Sequence, residues 1–384
     1  MSRFLFVVPP LTGHVNPTVS VARELERHGH TVAWVAHPRR VRPLLPPDAT
    51  LLPLDDGVDD EIWSPVLAER GQVRGLESFV FLWEKVLVPL ARGMLSGVDE
   101  AIDRFLPDVL VVDHQAIAGA LVARRRGLRF ATLCTTSASV VEPLRELPKL
   151  QAWMDAQLAT LAKEAGLPAA SKPDLSPTLV IVFSVRELVG QQPFLPHYHF
   201  VGPSISDRPD ETTFPWSSLR DGRRILVSLG TVSSEAGGRF YRTVVEGLRA
   251  ADLQVVMVAP PTLVGEVPNN FIVSARVPQL ALLPHMSAVV CHAGHNTVCE
   301  SLAYGLPLVV APIRDDQPVV ARQVLDAGVG VRIKFGRATP ETLRRAVLQV
   351  LDDPQFAARA AAMKIAFAQA GGAARAAALL EAMK

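Results

Sequence analysis

The chain has 384 residues, too many for one small domain and suited to two domains of roughly 150–200. Its 39 Lys and Arg offset 38 Asp and Glu to a net charge of +1, which excludes the basic footprint of a nucleic-acid groove binder or a polybasic membrane anchor. With 49% hydrophobic and 20% charged residues there is ample material for cores, and intrinsic disorder is excluded.

Short apolar, β-branched runs alternate with longer helical patterns from end to end. Strands are predicted at 4–8, 31–35, 51–54, 109–113, 130–133 and 179–183 in the first half. In the second half they are predicted at 225–229, 255–259, 272–274, 288–291, 308–311 and 330–333. The runs are continuous rather than alternating, as expected of strands covered by helices on both faces. A βαβα series of this kind reads as a doubly wound parallel sheet. The series restarts after a stretch rich in Pro, Ser and Asp, so two domains are expected at 1–204 and 223–365, joined by a linker at 205–222. The tail from Glu341 reads as helix, broken at Asp352-Asp353-Pro354 and again at Gly371-Gly372. Ligands of open α/β sheets sit beyond the carboxyl ends of the strands, so a substrate is expected in a cleft between two facing sheets.

The most apolar runs reach only about seven residues, far short of the ~20 that span a bilayer. Pro9, Pro10 and Gly13 interrupt the first apolar run too early for a signal sequence. Cys134, Cys291 and Cys299 are odd in number and lack metal spacing, so reduced thiols and a cytoplasmic location are expected.

Four sites could carry chemistry. Thr12-Gly13-His14-Val15-Asn16-Pro17 follows the first strand, with the next helix expected to begin near Pro17 or Thr18. That places His14 at a strand's carboxyl end as either a general base or a packing loop histidine. Asp113 closes the run 108–113, as a helix N-cap or as a carboxylate that orients an imidazole. His114, next along an extended chain, is expected to point away from it. In Cys291-His292-Ala293-Gly294-His295-Asn296-Thr297-Val298-Cys299-Glu300 a strand passes through a glycine turn into a helix, whose free N–H groups suit a phosphate. Gly294 permits close approach, and His292, Asn296 and Thr297 offer further donors. Thr297 and Glu300 also match a capping box, a purely structural alternative. Finally, Asp316-Gln317 follows strand 308–311 with donors and acceptors suited to sugar hydroxyls, or with Asp316 as an N-cap.

Together these residues resemble the UDP-glycosyltransferase superfamily (glycosyltransferase family one), which has the two-domain GT-B fold: two Rossmann-like, doubly wound α/β domains facing across a cleft. The similarity covers essentially the whole chain and is most specific from Arg276 to Pro318, where RVPQLALLPH, HAGHNTVCESLAYGLPLVVAPI and DDQP keep the family's order and spacing. The bacterial branch that glycosylates macrolides, other natural products and carotenoids is nearest in pattern. The resemblance implies His14 as general base and Asp113 as its partner. It implies His292, Gly294, Asn296 and Thr297, with Gly230 and Thr231, around the donor diphosphate. Glu300 would take the ribose, Val277 and Gln279 the nucleobase, and Asp316 and Gln317 the transferred sugar. An Asp-Gln pair is typical of glucose-type donors, which favours UDP-glucose over a dTDP-deoxysugar. Arg276 stands where many relatives stack a Trp on uracil; a guanidinium plane can also stack, and dTDP stays open. The final helix, 366–384, is expected to return to the first domain.

The implied reaction is one in-line displacement that inverts an α-linked donor to a β-glycoside. The nucleotide sugar is a co-substrate; no cofactor is expected and, without an Asp-x-Asp motif, no metal. The acceptor is expected to be a hydrophobic hydroxylated small molecule, met by the segment 61–90 with Trp63, Phe79, Phe81 and Trp83, or by Trp153 and Met154, unless these are ordinary helix core. Phe79 and Trp83 are the named candidates. The cluster Arg124-Arg125-Arg126 reads as a solvated helix end. A nucleotide-sugar epimerase of the same fold and a non-catalytic auxiliary are the competing classes.

Overall fold

A computed structural model of the chain describes residues 1–54, 66, 69, 73, 75–141, 144, 147–168, 172–205, 212–230 and 237–383. Thr231, Trp63 and residues 206–211 of the expected linker lie outside the described residues. The chain divides into two compact units. The first comprises Met1–Val185, Gln192–Asp207 and Ala370–Lys384; the second comprises Arg186–Gln191 and Arg208–Gln369. The short helix Arg186–Val189, read above as part of the first domain, groups with the second because it packs on the helix Gln317–Asp326.

The first unit holds seven strands: β1 (Arg3–Val7), β2 (Thr31–Ala36), β3 (Leu51–Pro53), β4 (Val109–Asp113), β5 (Phe130–Cys134), β6 (Val180–Val182) and β7 (Tyr198–Phe200). They form one all-parallel sheet in the order β3-β2-β1-β4-β5-β6-β7. Side chains alternate across the pleat, and both faces are covered. Leu5, Val7, Leu110 and Val112 enter one core, while Phe4, Phe6, Val109 and Val111 enter the other. The helix Ile117–Arg126 presses on the β1–β4 seam through Gly119, where a Cβ would lie 2.9 Å from Val112 and 3.0 Å from Val7. On the opposite face lie Ala376, Ala377 and Leu380 of the last helix, Gly372–Glu381, which packs on the helix Thr12–Arg27.

β7 was not expected. It is three residues long, half-buried and at the sheet edge, preceded by Pro193 and Pro196, so neither length nor periodicity marks it. The first helix also begins earlier than expected, at Thr12. Pro17 lies inside it and does not open it, and Leu11 accepts the first backbone bonds from His14 and Val15.

The second unit repeats the plan with β8 (Arg224–Ser228), β9 (Gln254–Val258), β10 (Phe271–Ser274), β11 (Ala288–Cys291), β12 (Leu308–Val310) and β13 (Gly330–Arg332). Their order is β10-β9-β8-β11-β12-β13, again all parallel. Ile225, Val227, Val255 and Val290 fill one core, and the alternate residues Leu226, Val256 and Val289 are equally buried. In each sheet the strand order reverses once, between β1 and β4 and between β8 and β11. A crevice opens at the carboxyl ends of such a strand pair, the usual address for a ligand. Among the described residues no helix is long and apolar enough to cross a membrane, and Cys134, Cys291 and Cys299 are buried and form no disulfide.

Candidate functional site

At the first reversal point, three strand ends deliver three polar side chains. His14 lies in the first turn of the helix that follows β1, Asp113 ends β4, and Thr135 follows β5. His14 Nδ1 is 2.9 Å from Asp113 Oδ1. The Thr135 hydroxyl is 2.8 Å from Asp113 Oδ2 and 2.8 Å from His14 Nδ1. The Gln115 backbone N–H donates to Asp113 Oδ1 at 2.8 Å. Burial alone would raise the Asp113 carboxyl, but the imidazoles of His14 and His114 and these hydrogen bonds outweigh it and hold its pKa below the ordinary value. Asp113 is therefore an ionised acceptor, and the His14 nitrogen facing it carries the proton. Nε2 is left with the lone pair that a base needs. Asp113 is not an N-cap: Ala116 takes that position before the helix Ile117–Arg126.

His114 does not point away as expected. The chain leaves the strand at Asp113 and turns, so strand alternation no longer applies, and the two histidine rings lie 5.3 Å apart. Burial, above all, pushes His114 down to about 4, so it is neutral near pH 7. His14, Asp113 and His114 each offer a ligand atom within 4.8 Å of the others. A metal there would have to displace the His14–Asp113 hydrogen bond.

At the second reversal point, Gly230 follows β8 and His292 follows β11. Gly230 has φ +70°, and a Cβ there would lie 2.6 Å from His292 Cε1; one on Gly294 would overlap the same ring. Only glycine lets both backbones close on the imidazole. His292 is half-buried, its buried Nδ1 has no hydrogen-bond partner among the described residues, and desolvation pushes its pKa down to about 4. Ala293 adopts φ +65° and Asp315 φ +56°, a left-handed conformation rarely held by non-glycine residues and concentrated at functional sites.

The helix His295–Ala303 starts with Gly294 as N-cap, so Asn296 and Thr297 fall in its first turn and no Thr297–Glu300 capping box forms. Glu300 is buried and instead accepts a hydrogen bond from the Gln279 amide at 2.6 Å. The loop after β10 carries Arg276, exposed, and Val277, half-buried; the Arg276 carbonyl accepts a bond from the Ser274 hydroxyl. After β12, Asp316 is the N-cap residue of Gln317–Asp326 but makes no side-chain cap bond. Gln317 Oε1 accepts the backbone N–H groups of Ile313 at 2.8 Å and Arg314 at 3.1 Å, so this oxygen is committed to shaping the turn.

Residues 242–383 match the family described as the erythromycin biosynthesis protein CIII-like C-terminal domain. Over 96% of both chains the sequence is 29% identical to the 4'-demethylrebeccamycin synthase of Lentzea aerocolonigenes. It is also 29% identical to an NDP-glycosyltransferase of Bacillus licheniformis, over 97% of this chain and 95% of that one. The calicheamicin glycosyltransferase CalG4 superimposes over all of this chain and 98% of its own, with TM-score 0.79 and 25% identity. The chain resembles glycosyltransferases of the UDP-glycosyltransferase superfamily over its whole length.

It is a GT-B glycosyltransferase of the natural-product type. Within this glycosyltransferase the structure brings His14 and Asp113 together, and likewise Gly230, His292 and Gly294, and Gln279 and Glu300. Trp83, named above as an acceptor contact, is buried in the first unit's core with Leu82 and Val86. Phe79 is half-buried against the same core, its ring centroid 6.4 Å from that of Trp83. Thr135 was missed, because a small polar residue after a strand carries no motif.

Proposed function

We propose that the enzyme transfers glucose from UDP-glucose to a hydroxyl of a hydrophobic small molecule, with inversion and without a metal. The observation that carries this reading is the His14 imidazole held by the buried, ionised Asp113 at the first reversal point. His14 Nε2 takes the acceptor proton as the oxygen attacks the anomeric carbon from the face opposite the leaving diphosphate. Asp113 orients the ring and stabilises the imidazolium that forms.

The second unit supplies the donor site on this reading. Gly230, Gly294 and the N-terminal turn with Asn296 and Thr297 surround the diphosphate, and the neutral His292 donates to it without a charge of its own. Thr231 belongs to the same proposed set. Glu300, already tied to Gln279, takes the ribose hydroxyls, with Val277 and Arg276 beside the base. Asp316 and the Gln317 amide N–H groups meet the sugar. Arg276, in place of a stacking aromatic ring, favours one second reading: a dTDP-sugar used by the same machinery.

UDP-glucose and dTDP-glucose are offered with a panel of hydrophobic hydroxylated acceptors, and products are read by mass spectrometry and proton NMR. The expected product is a β-glucoside from UDP-glucose, formed equally with and without EDTA. An α-glucoside, or turnover lost to EDTA and restored by manganese, refutes the mechanism. Interconversion of UDP-sugars without an acceptor points to an epimerase.

A further inference from the structure

The His14–Asp113 pair is held by a third group. We infer that Thr135 is a positioning residue for the base: its hydroxyl ties the Asp113 carboxylate to the His14 imidazole in one orientation. The inference rests on the proposed role of His14.

Thr135 follows β5, the strand paired with β4 in the register Asp113↔Leu133, so it leaves the sheet just beyond the carboxylate. It is buried, with Oγ1 2.8 Å from Asp113 Oδ2 and 2.8 Å from His14 Nδ1. A hydroxyl has one proton to give and lone pairs to accept. The ionised carboxylate only accepts, so the Thr135 proton goes to Oδ2, and toward His14 the oxygen can only accept. The His14 Nδ1–H is then shared between Asp113 Oδ1 at 2.9 Å and Thr135 Oγ1 at 2.8 Å. If Nδ1 lacked its proton, it would face Asp113 Oδ1 lone pair to lone pair.

The arrangement is a closed triangle. Asp113 Oδ1 takes the Gln115 N–H and Oδ2 takes the hydroxyl, which fixes the carboxylate plane. Two acceptors on Nδ1–H then fix the imidazole plane. Asp113 alone selects the tautomer but leaves the ring free to swing about one bond. Thr135 removes that freedom and aims Nε2, while touching no substrate itself.

Thr135→Val keeps the shape and deletes the hydroxyl. Expected is a fall in kcat of roughly tenfold, the scale of one hydrogen bond, with KM for donor and acceptor within about twofold. Thr135→Ser restores kcat. In ¹⁵N-histidine spectra the Nδ1–H resonance of His14, assigned by its loss in His14→Gln, moves in Thr135→Val and returns in Thr135→Ser. Thr135→Ala is the second deletion if valine is not accommodated. Unchanged kcat and an unmoved resonance in the deletion variants, with His14→Ala inactive, overturn this inference and leave the proposed function standing. A wild-type His14 protonated at Nε2 overturns it without any variant. If His14→Ala keeps full turnover, the base assignment fails and this inference fails with it.

Discussion

The two reversal points share an address but not an electrostatic design. Each lies between the first and fourth strands of its unit, and each holds a histidine. In the first unit the fourth strand brings Asp113, a buried carboxylate bonded to His14. In the second, Gly230 and Gly294 both close on the His292 ring, and desolvation keeps it neutral. The first arrangement suits gaining a proton, because the charge formed on the ring is already answered. The second suits receiving an anion through N–H dipoles, with no strong positive charge to hold the product afterwards. The two histidines thus differ in whether the facing strand end carries a carboxylate or a glycine.

Replacing that carboxylate is the most severe way to break the contrast. Asp113→Asn lets an amide N–H face Nδ1, which moves the ring proton to Nε2. Turnover is expected to fall on the order of 10³-fold, with UDP affinity by calorimetry unchanged. An Asp113→Asn enzyme within tenfold of wild type would remove the distinction between the two histidines.

Acid stability tests the second half of the comparison. His292 and His114 have pKa values of about 4 in the folded chain against 6.5 for an ordinary histidine, so the unfolded chain takes up protons first as pH falls. Their contribution is complete above pH 6.5 and is lost as pH falls from there through 4, at a cost on the order of 3 kcal/mol each. Melting temperature should drop across that window, and His292→Gln should flatten the drop. An unaltered acid limb in His292→Gln would mean that His292 is not held neutral by burial.

Glycine-to-alanine changes give the smallest effect. A Cβ at Gly294 overlaps the His292 ring, and at Gly230 it also meets a left-handed φ. Each variant should raise the donor KM by about tenfold while the acceptor KM stays put. An increase in the acceptor KM instead would place the donor elsewhere.

How much of this could be read in advance differed between the two points. The second was legible because its residues are contiguous: from Cys291 to Glu300 a strand, a glycine turn and a polar helix start stand in one run. The first was legible only in pieces. His14 and Asp113 are 99 positions apart and meet through the β1–β4 pairing. Thr135 lies on a third strand and carries no signal of its own. Local rules failed where the chain changes element. Alternation misdirected His114 because the strand ends before it, and Pro17 suggested a helix start although the helix had already begun at Thr12. The Thr297–Glu300 spacing matched a capping box, but the helix starts three residues too early for one, and Glu300 pairs with Gln279. Apolar aromatic residues were ambiguous for another reason: Trp83 would look the same in a core or at an acceptor, and only packing separates the two.

The central claim is that the base and the donor site are separable, the base residing in His14. Turnover of UDP-glucose by His14→Ala with a hydroxylated acceptor, read by mass spectrometry, tests it most directly. The account predicts product formation reduced by roughly 10²- to 10⁴-fold in a protein that still binds UDP. Product at the wild-type rate would contradict it.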